Sequence, residues 1–303
     1  MTGTLAVVIP TRDRPSMRDA LLDDLAGQSL LPTEVLVVDD SKAPTDLPAR
    51  MRSRSVHVIR PGSRVFISRA RNLGWSACRA DFVAFVDDDN RLPVHLLRTL
   101  VQDLDEHPTW GAVMPGAVYR SRPDLVWVYA TPFAPDRWSF DLVGRNAVRN
   151  PTMESSVMPT DALPNLSVVR RAVLESVGGF DERFPVSSTA DLCQRIKQAG
   201  WEVWADPRVL TEHDVEPPGI PGYWAEHALG DAERFRLDVA DWFRFQRRWN
   251  NDRRLFAARA GLHAVGFLAS HFVALSARAP RRVMTHAVAA VSGIRDGLTS
   301  TLG

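Results

Sequence analysis

Short apolar runs alternate with helical spacings through the first third of the chain. Leu5–Pro10 (LAVVIP), Glu34–Val38 (EVLVV) and Phe82–Val86 (FVAFV) are nearly unbroken apolar stretches, the pattern of strands covered on both faces. Pro10 ends the first run, because a residue without an N–H cannot extend a ladder. Between them Met17, Ala20, Leu21 and Leu25 recur at helical spacing over Met17–Ala26, His57–Arg60 reads as a short strand, and Arg69–Ala80 as a helix. Strands alternating with helices at this interval predict an α/β fold: a doubly wound, mostly parallel sheet with helices on both faces. Right-handed crossovers then place Pro10, Asp39 and Asp87 at one rim of that sheet, where open α/β sheets bind ligands.

Farther on, Ala112–Val118 predicts another strand, Val168–Val177 a short helix stopped by Gly178-Gly179, Ala190–Ala199 a helix closed by Gly200, and Glu202–Ala205 (EVWA) a strand. Ser121–Asn165 is rich in proline and aromatic residues with weak periodicity, and an irregular region of that length is expected to be functional or mobile. Residues 231–254 interleave charges with Phe235, Leu237, Val239, Trp242, Phe245 and Trp249, as an amphipathic helix or pair of helices does. The composition is that of a soluble globular protein, 45% apolar and 24% charged with net charge +1, and the near-neutral balance argues against a nucleic-acid binder held through phosphates. Cys78 and Cys193 lie far apart in apolar or helical patterns, which suits a reducing compartment. No secretory leader and no long uncharged apolar span is visible, so a cytoplasmic location is expected.

The chemistry concentrates after the FVAFV run, where Asp87, Asp88 and Asp89 follow in sequence. Three unpaired carboxylates beside a buried strand repel one another and resist desolvation, and a hard divalent cation, Mg²⁺ or Mn²⁺, removes that cost. The alternative is an N-cap for a helix over Arg91–Gln102, a task that needs one acid and not three.

The ordered series VVIPTRDRP, EVLVVDDS, SRARNLG, FVAFVDDDN, GGFDERF, ADLCQRIKQAGW and a later His resembles the family 2 inverting glycosyltransferases with the A-type nucleotide-sugar fold, over about Leu5–His213. The resemblance implies a nucleoside-diphosphate sugar donor, a hydroxyl acceptor on a glycan or lipid carrier, and a divalent cation. It implies that Pro10, Thr11 and Arg12 lie along the nucleoside and diphosphate, that Asp39 accepts the base N–H, and that Arg71 and Asn72 face the donor. Asp39 has the competing role of capping a turn, and Arg71 that of a surface helix residue. Asp87-Asp88-Asp89 resembles the family's DxD-type motif, with Asp89 on the ion and Asp87 or Asp88 acting through water or the ribose. His213 matches a histidine that reaches the metal or diphosphate in some members, or serves structure. Asn165, Gly179, Phe180 and Asp181 resemble the floor of the acceptor pocket, and Trp127, Tyr129 and Trp138 are either sugar-stacking or core aromatics.

The chain departs from the family where the base is expected. Ser188 and Thr189 occupy positions that are Glu-Asp in many members, leaving Asp191 as base or helix cap, with Glu154, Asp161 and Asp181 as the other acids nearby in sequence. That departure keeps a catalytically silent nucleotide-sugar-binding protein as an alternative. A nucleotidyltransferase would also use acids and a metal, but no glycine-rich basic loop follows the first strand. Residues 1–230 are expected to form the catalytic domain and 231–303 a helical extension. In that extension Leu255–Leu275 is apolar but broken by Arg259, His263 and His271, and Arg278, Arg281 and Arg282 precede a second apolar stretch, Val283–Ile294. Apolar helix with basic flank fits peripheral contact with a membrane's cytoplasmic face; a hairpin packed on the protein or a homo-oligomer contact is the alternative.

Overall fold

The computed structural model describes residues 3–49, 55–136, 138–217, 232–250 and 280–300, with isolated positions between 260 and 276. The chain divides into two compact units, Met1–Asp181 with Thr189–Pro217, and Glu182–Ser188 with Pro218–Gly303. The boundary expected at 230 and most of Leu255–Leu275 lie outside the described residues.

In the first unit the elements run β1 (Leu5–Thr11), α1 (Pro15–Ala26), β2 (Glu34–Asp39), β3 (Val56–Ile59), α2 (Ile67–Ala77), β4 (Phe82–Val86), β5 (Asn90–Arg91), α3 (Leu96–Glu106), β6 (Trp110–Tyr119), β7 (Arg122–Val128), β8 (Phe133–Ala134), β9 (Ser139–Phe140), β10 (Met158–Pro159), β11 (Leu166–Arg170), α4 (Arg171–Val177), α5 (Ser188–Gln198) and β12 (Glu202–His213). The main sheet has the order β10-β12-β6-β11-β4-β1-β2-β3. β3, β2, β1 and β4 are parallel neighbours, β11 is antiparallel to both β4 and β6, and β12 is parallel to β6. The sheet is therefore mixed but mostly parallel in strand direction.

Alternation across the pleat explains the unbroken apolar runs. Ala6, Val8, Val83 and Phe85 face one core with α2, α4 and α5, whereas Leu5, Val7, Ile9, Phe82 and Ala84 face the other with α1 and α3. Both faces are covered, so neither strand has a polar side to show.

Two sequence expectations are corrected. Val168–Val177 is not one helix: Leu166–Arg170 is a strand and only Arg171–Val177 is helical. Val168 and Val169 point to opposite cores, and pairing with β4 and β6 overrides the local helical reading. The helix expected at Arg91 begins at Leu96 with His95 as its N-cap, because Asn90–Arg91 pair with Glu212–His213 and Pro93 interrupts. The three acids therefore do not cap that helix.

A bulge in β12 separates Asp206, opposite Pro115, from Leu210, opposite Gly116. It carries Arg208 onto two buried acids: its guanidinium meets Asp103 at 2.6 Å and Asp206 at 2.7 Å. Burial, then Asp206, push the Asp103 carboxyl up to about 7, against the pull of Arg208.

In the second unit α6 (Ala232–Trp249) packs on α7 (Val283–Thr299). The buried side of α7 is made of His286, Ala289, Ala290, Gly293 and Gly297. A Cβ at Gly297 would lie 2.7 Å from the Ala240 carbonyl oxygen, so small residues set the close helix approach. Among the described residues no helix is long and apolar enough to cross a membrane. Asp241 of α6 has no exposed surface, and its Oδ2 accepts from the N–H groups of Val186 and Ser187, both at 2.9 Å, just before α5. Burial pushes its carboxyl up to about 7 despite those hydrogen bonds and Arg244. Folded, the group holds its proton up to about pH 7; unfolded, it releases it near 3.8, so its contribution to stability falls as pH rises between those values. Asp241→Asn keeps an acceptor oxygen without the charge. The melting-temperature difference, variant minus wild type, is expected to become more positive from pH 5 to pH 8 by several degrees, on the order of a 1–2 kcal/mol change; a difference independent of pH would contradict this.

Candidate active site at the strand rim

The parallel strands deliver Thr11, Asp39 and Asp87 to one rim, and the shared direction of β6 and β12 brings Tyr119 and His213 to the same rim. β11 starts there too, so Asn165, one residue before it, meets the turn that follows β4: Asp87 N–H donates to the Asn165 carbonyl at 3.0 Å. Asn165 has φ +73, a left-handed conformation that asparagine tolerates better than most residues. Its side-chain amide pairs reciprocally with Asn90 at 2.8 and 2.6 Å, and Asn90 Nδ2 also donates to the Asp87 carbonyl at 2.8 Å. Asn90, fully buried, thus fixes the shape of the acidic turn.

Each of the three acids has a cationic partner from elsewhere in the chain. Asp87 Oδ1 accepts from Arg71 at 2.9 Å. Asp88, with no exposed surface, accepts from the Thr11 hydroxyl at 2.7 Å and meets Arg14 at 2.9 Å. The other nitrogen of the same Arg14 fork donates to Asp89 Oδ2 at 2.9 Å. The carboxylates are not unpaired: Arg14 and Arg71 supply counter-charge within the protein. Burial raises the Asp88 carboxyl to about 7 against Arg14 and Thr11. Burial also raises Asp89, but the adjoining His213 ring and Arg14 outweigh it and hold that carboxyl well below the usual range.

Asp89 Oδ1 accepts no hydrogen bond and faces His213 Nε2 at 3.5 Å. The His213 ring is seated edge-on against Trp127, with centroids 4.5 Å apart, and Trp127 in turn lies beside Arg145. Asp89 Oδ1, which accepts no hydrogen bond, and the imidazole nitrogen it faces suit a divalent cation as a two-ligand site. Among the described residues no set of three His, Cys, Asp or Glu side chains converges, so diphosphate oxygens or water would complete the shell, as Mg²⁺ and Mn²⁺ accept.

The nucleoside side is organised by β2. Asp39 is 3% exposed; Oδ1 accepts from the Ser41 N–H at 3.0 Å, closing the turn, while Oδ2 accepts no hydrogen bond and has Arg18 at 3.7 Å. Arg12 donates to Asp40 at 2.9 Å, and Pro10 stands opposite Val38.

Other expected residues are engaged in structure. Asn72 acts as a latch: its Nδ2 donates to the Phe180 carbonyl at 2.9 Å and its Oδ1 accepts from Phe180 N–H at 2.9 Å and Trp75 Nε1 at 3.0 Å. Phe180 is buried, edge-on to Phe85 and beneath Arg71, so its ring supports the rim from within. Gly179 has φ +69, and a Cβ there would come within 2.8 Å of Asn72 and 2.7 Å of Trp75. Asp181 follows, half-buried. Asp191 lies in the first turn of α5 and not at its cap, has no exposed surface, and is bound to Arg195 at 2.8 Å. Glu154 is held by the Arg149 fork and Tyr129, and Asp161 by Lys197 and Gln194. Trp138 and Tyr129 are buried core aromatics; Trp127 is partly buried.

Arg14 and Arg18 were missed from sequence. TRDRP contains Arg14, but only the fold shows that its partners lie some 75 residues away.

The mixed sheet with a carboxylate-bearing rim defines the A-type nucleotide-sugar fold. A mannosyltransferase from Pyrobaculum calidifontis, solved with GDP-Man and Mn²⁺, superposes with a TM-score of 0.58 at 19% identity, covering 99% of this chain and 88% of that one. Residues 6–156 match the sequence profile of Glycosyl transferase family 2, and the chain belongs to that family. It is 30% identical over 212 residues to a pre-mycofactocin glycosyltransferase of Mycobacterium tuberculosis, covering 69% of this chain but 42% of that protein, so the chain spans less than half the length of that relative. It is 27% identical to an N-acetylglucosaminyl-diphospho-decaprenol L-rhamnosyltransferase of the same organism, over 82% of this chain and 89% of that protein.

Arg14→Ala leaves Asp88 and Asp89 without the fork. With Arg14 half in solvent, a stability loss of about 1–2 kcal/mol is expected in urea denaturation, and added Mn²⁺ should restore more of it than it adds to the wild type. Equal stability of variant and wild type would show that the fork carries no weight.

Proposed function

We propose that the chain transfers a sugar, with inversion, from a nucleoside-diphosphate sugar to a hydroxyl acceptor, using Mg²⁺ or Mn²⁺ held by Asp89 and His213. The observation that carries this reading is the unpartnered Asp89 Oδ1 facing His213 Nε2 at the rim where Thr11, Asp39 and Asp87 also end their strands. Asp39 Oδ2 is free of hydrogen bonds and suits the N–H of a nucleobase. Arg14 and Arg71, already turned to the rim acids, stand where a diphosphate brings further negative charge, and their planar forks suit its oxygens. When bound, the cation neutralises the charge that grows on the departing nucleoside diphosphate. Asp87 and Asp88 hold these arginines in place. Asn165, Gly179, Phe180 and Asp181 form the acceptor side, Phe180 as a buried support. The diphospho-decaprenol named for the mycobacterial rhamnosyltransferase, matched over nearly its whole length, supports a lipid-linked glycan as acceptor and a place at the cytoplasmic face of the membrane.

Asp191 serves as general base in this reading only if Arg195 releases it, since it has no exposed surface. That ion pair, with Ser188 and Thr189 in place of acids, favours a second reading: a nucleotide-sugar-binding protein without turnover.

Asp89→Ala is expected to abolish the rise in melting temperature that Mn²⁺ and a nucleoside diphosphate together give the wild type, and to remove transfer; unaltered stabilisation and turnover would sink the cation site. Asp191→Asn separates the two readings. A base role predicts a kcat loss of about a hundredfold or more with donor binding intact. The silent protein predicts donor binding and no transfer in either form.

A further inference from the structure

We infer that the outer face of α7 is a docking surface for an anionic lipid bilayer. The helix is built inside out. Its buried side against α6 carries the small residues Ala289, Ala290, Gly293 and Gly297, while its large apolar side chains point away from the packing partner. Met284, Val288, Val291 and Leu298 are 75, 60, 59 and 38% exposed. An isolated exposed leucine or valine is ordinary, but these four fall at spacings of four, three and seven, so they line one stripe about 20 Å long.

Charge decides what covers the stripe. Arg281, one turn before Met284, and Arg295, between Val291 and Leu298, continue the same row, and Arg282 adjoins it; all three are exposed. The one acid of the helix, Asp296, is ion-paired with Arg236 of α6. The surface thus has an apolar middle, Met284 to Val291, with an arginine on either side of it and Leu298 beyond the second. A second copy of this stripe would set Arg281 and Arg295 against like charges whether it lay parallel or antiparallel, which disfavours self-association. A bilayer with anionic headgroups satisfies both parts: the apolar side chains enter the acyl boundary and the arginines reach up to phosphates along their own stems. At 17 residues the helix lies on such a surface and does not span it.

This surface is independent of donor chemistry, so its test does not depend on the transferase reading. The full chain, without nucleotide or acceptor, is sedimented with phosphatidylcholine vesicles that contain or lack phosphatidylglycerol. Binding to the anionic vesicles is expected, weakening with salt. Val288→Glu with Val291→Glu should lower the partition coefficient at least about tenfold, whereas Thr285→Gln, exposed but off the row, should leave it within about twofold. Arg281→Ser with Arg295→Ser should erase the preference for anionic vesicles. Because all these positions are exposed, circular dichroism and melting temperature should match the wild type. The inference is overturned by a wild type that stays in the supernatant, by stripe variants that bind equally well, or by a wild-type dimer that the glutamates dissociate, which would make a second copy the occupant. Loss of transfer activity with vesicle binding intact would instead count only against the transferase reading.

Discussion

The rim of the sheet depends on how three consecutive carboxylates are kept at the end of a buried strand. Asp88 has no exposed surface and Asp89 little, so the repulsion between them is not relieved by water. One guanidinium, Arg14, spans both, and a second, Arg71, takes Asp87. The loop after β1 and the N-terminal half of α2 are thereby tied to β4 by charge as well as by strand pairing. Arg14 stands immediately before α1, which Pro15 opens, so the position of the fork follows from where that helix can begin. Asp88 Oδ1 and Asp89 Oδ1 accept no hydrogen bond; the first lies against Arg14 at 2.9 Å, and the second is turned to His213.

The parts of the fold legible in the sequence were those whose signal is local and redundant. LAVVIP, EVLVV and FVAFV announce strands covered on both faces because every residue must be apolar there, and the structure has β1, β2 and β4 over those runs. β11 was read as helix because its residues run directly into α4, and nothing local distinguishes Val168 and Val169 as strand; partners on both sides decide it. Asn90–Arg91 pairs with the far end of β12, again a contact no window of sequence contains.

The site was legible in position but not in partnership. Residue types at strand ends pointed to the rim, and Thr11, Asp39, the acids and His213 do gather there. What sequence does not show is which charged group answers which. The Asn72 amide holds both backbone groups of Phe180, a pairing no local pattern announces. Asp191 looks available until Arg195, one turn along the same helix, is seen on it. In each case a short polar side chain had several chemically sensible partners, and only the packing of α2, α4 and α5 selects one.

The bulge in β12 has an implication for how this chain could vary. Residues 207–209 are extra to the ladder, which would close from Asp206 to Leu210 without them, yet Arg208 is the counter-ion of both Asp103 and Asp206. Excising those residues would leave strand register intact and strand two acids in the interior. A lineage could therefore shorten this strand only if both aspartates had first been exchanged for uncharged residues, so insertion and acid pair are inherited as one unit.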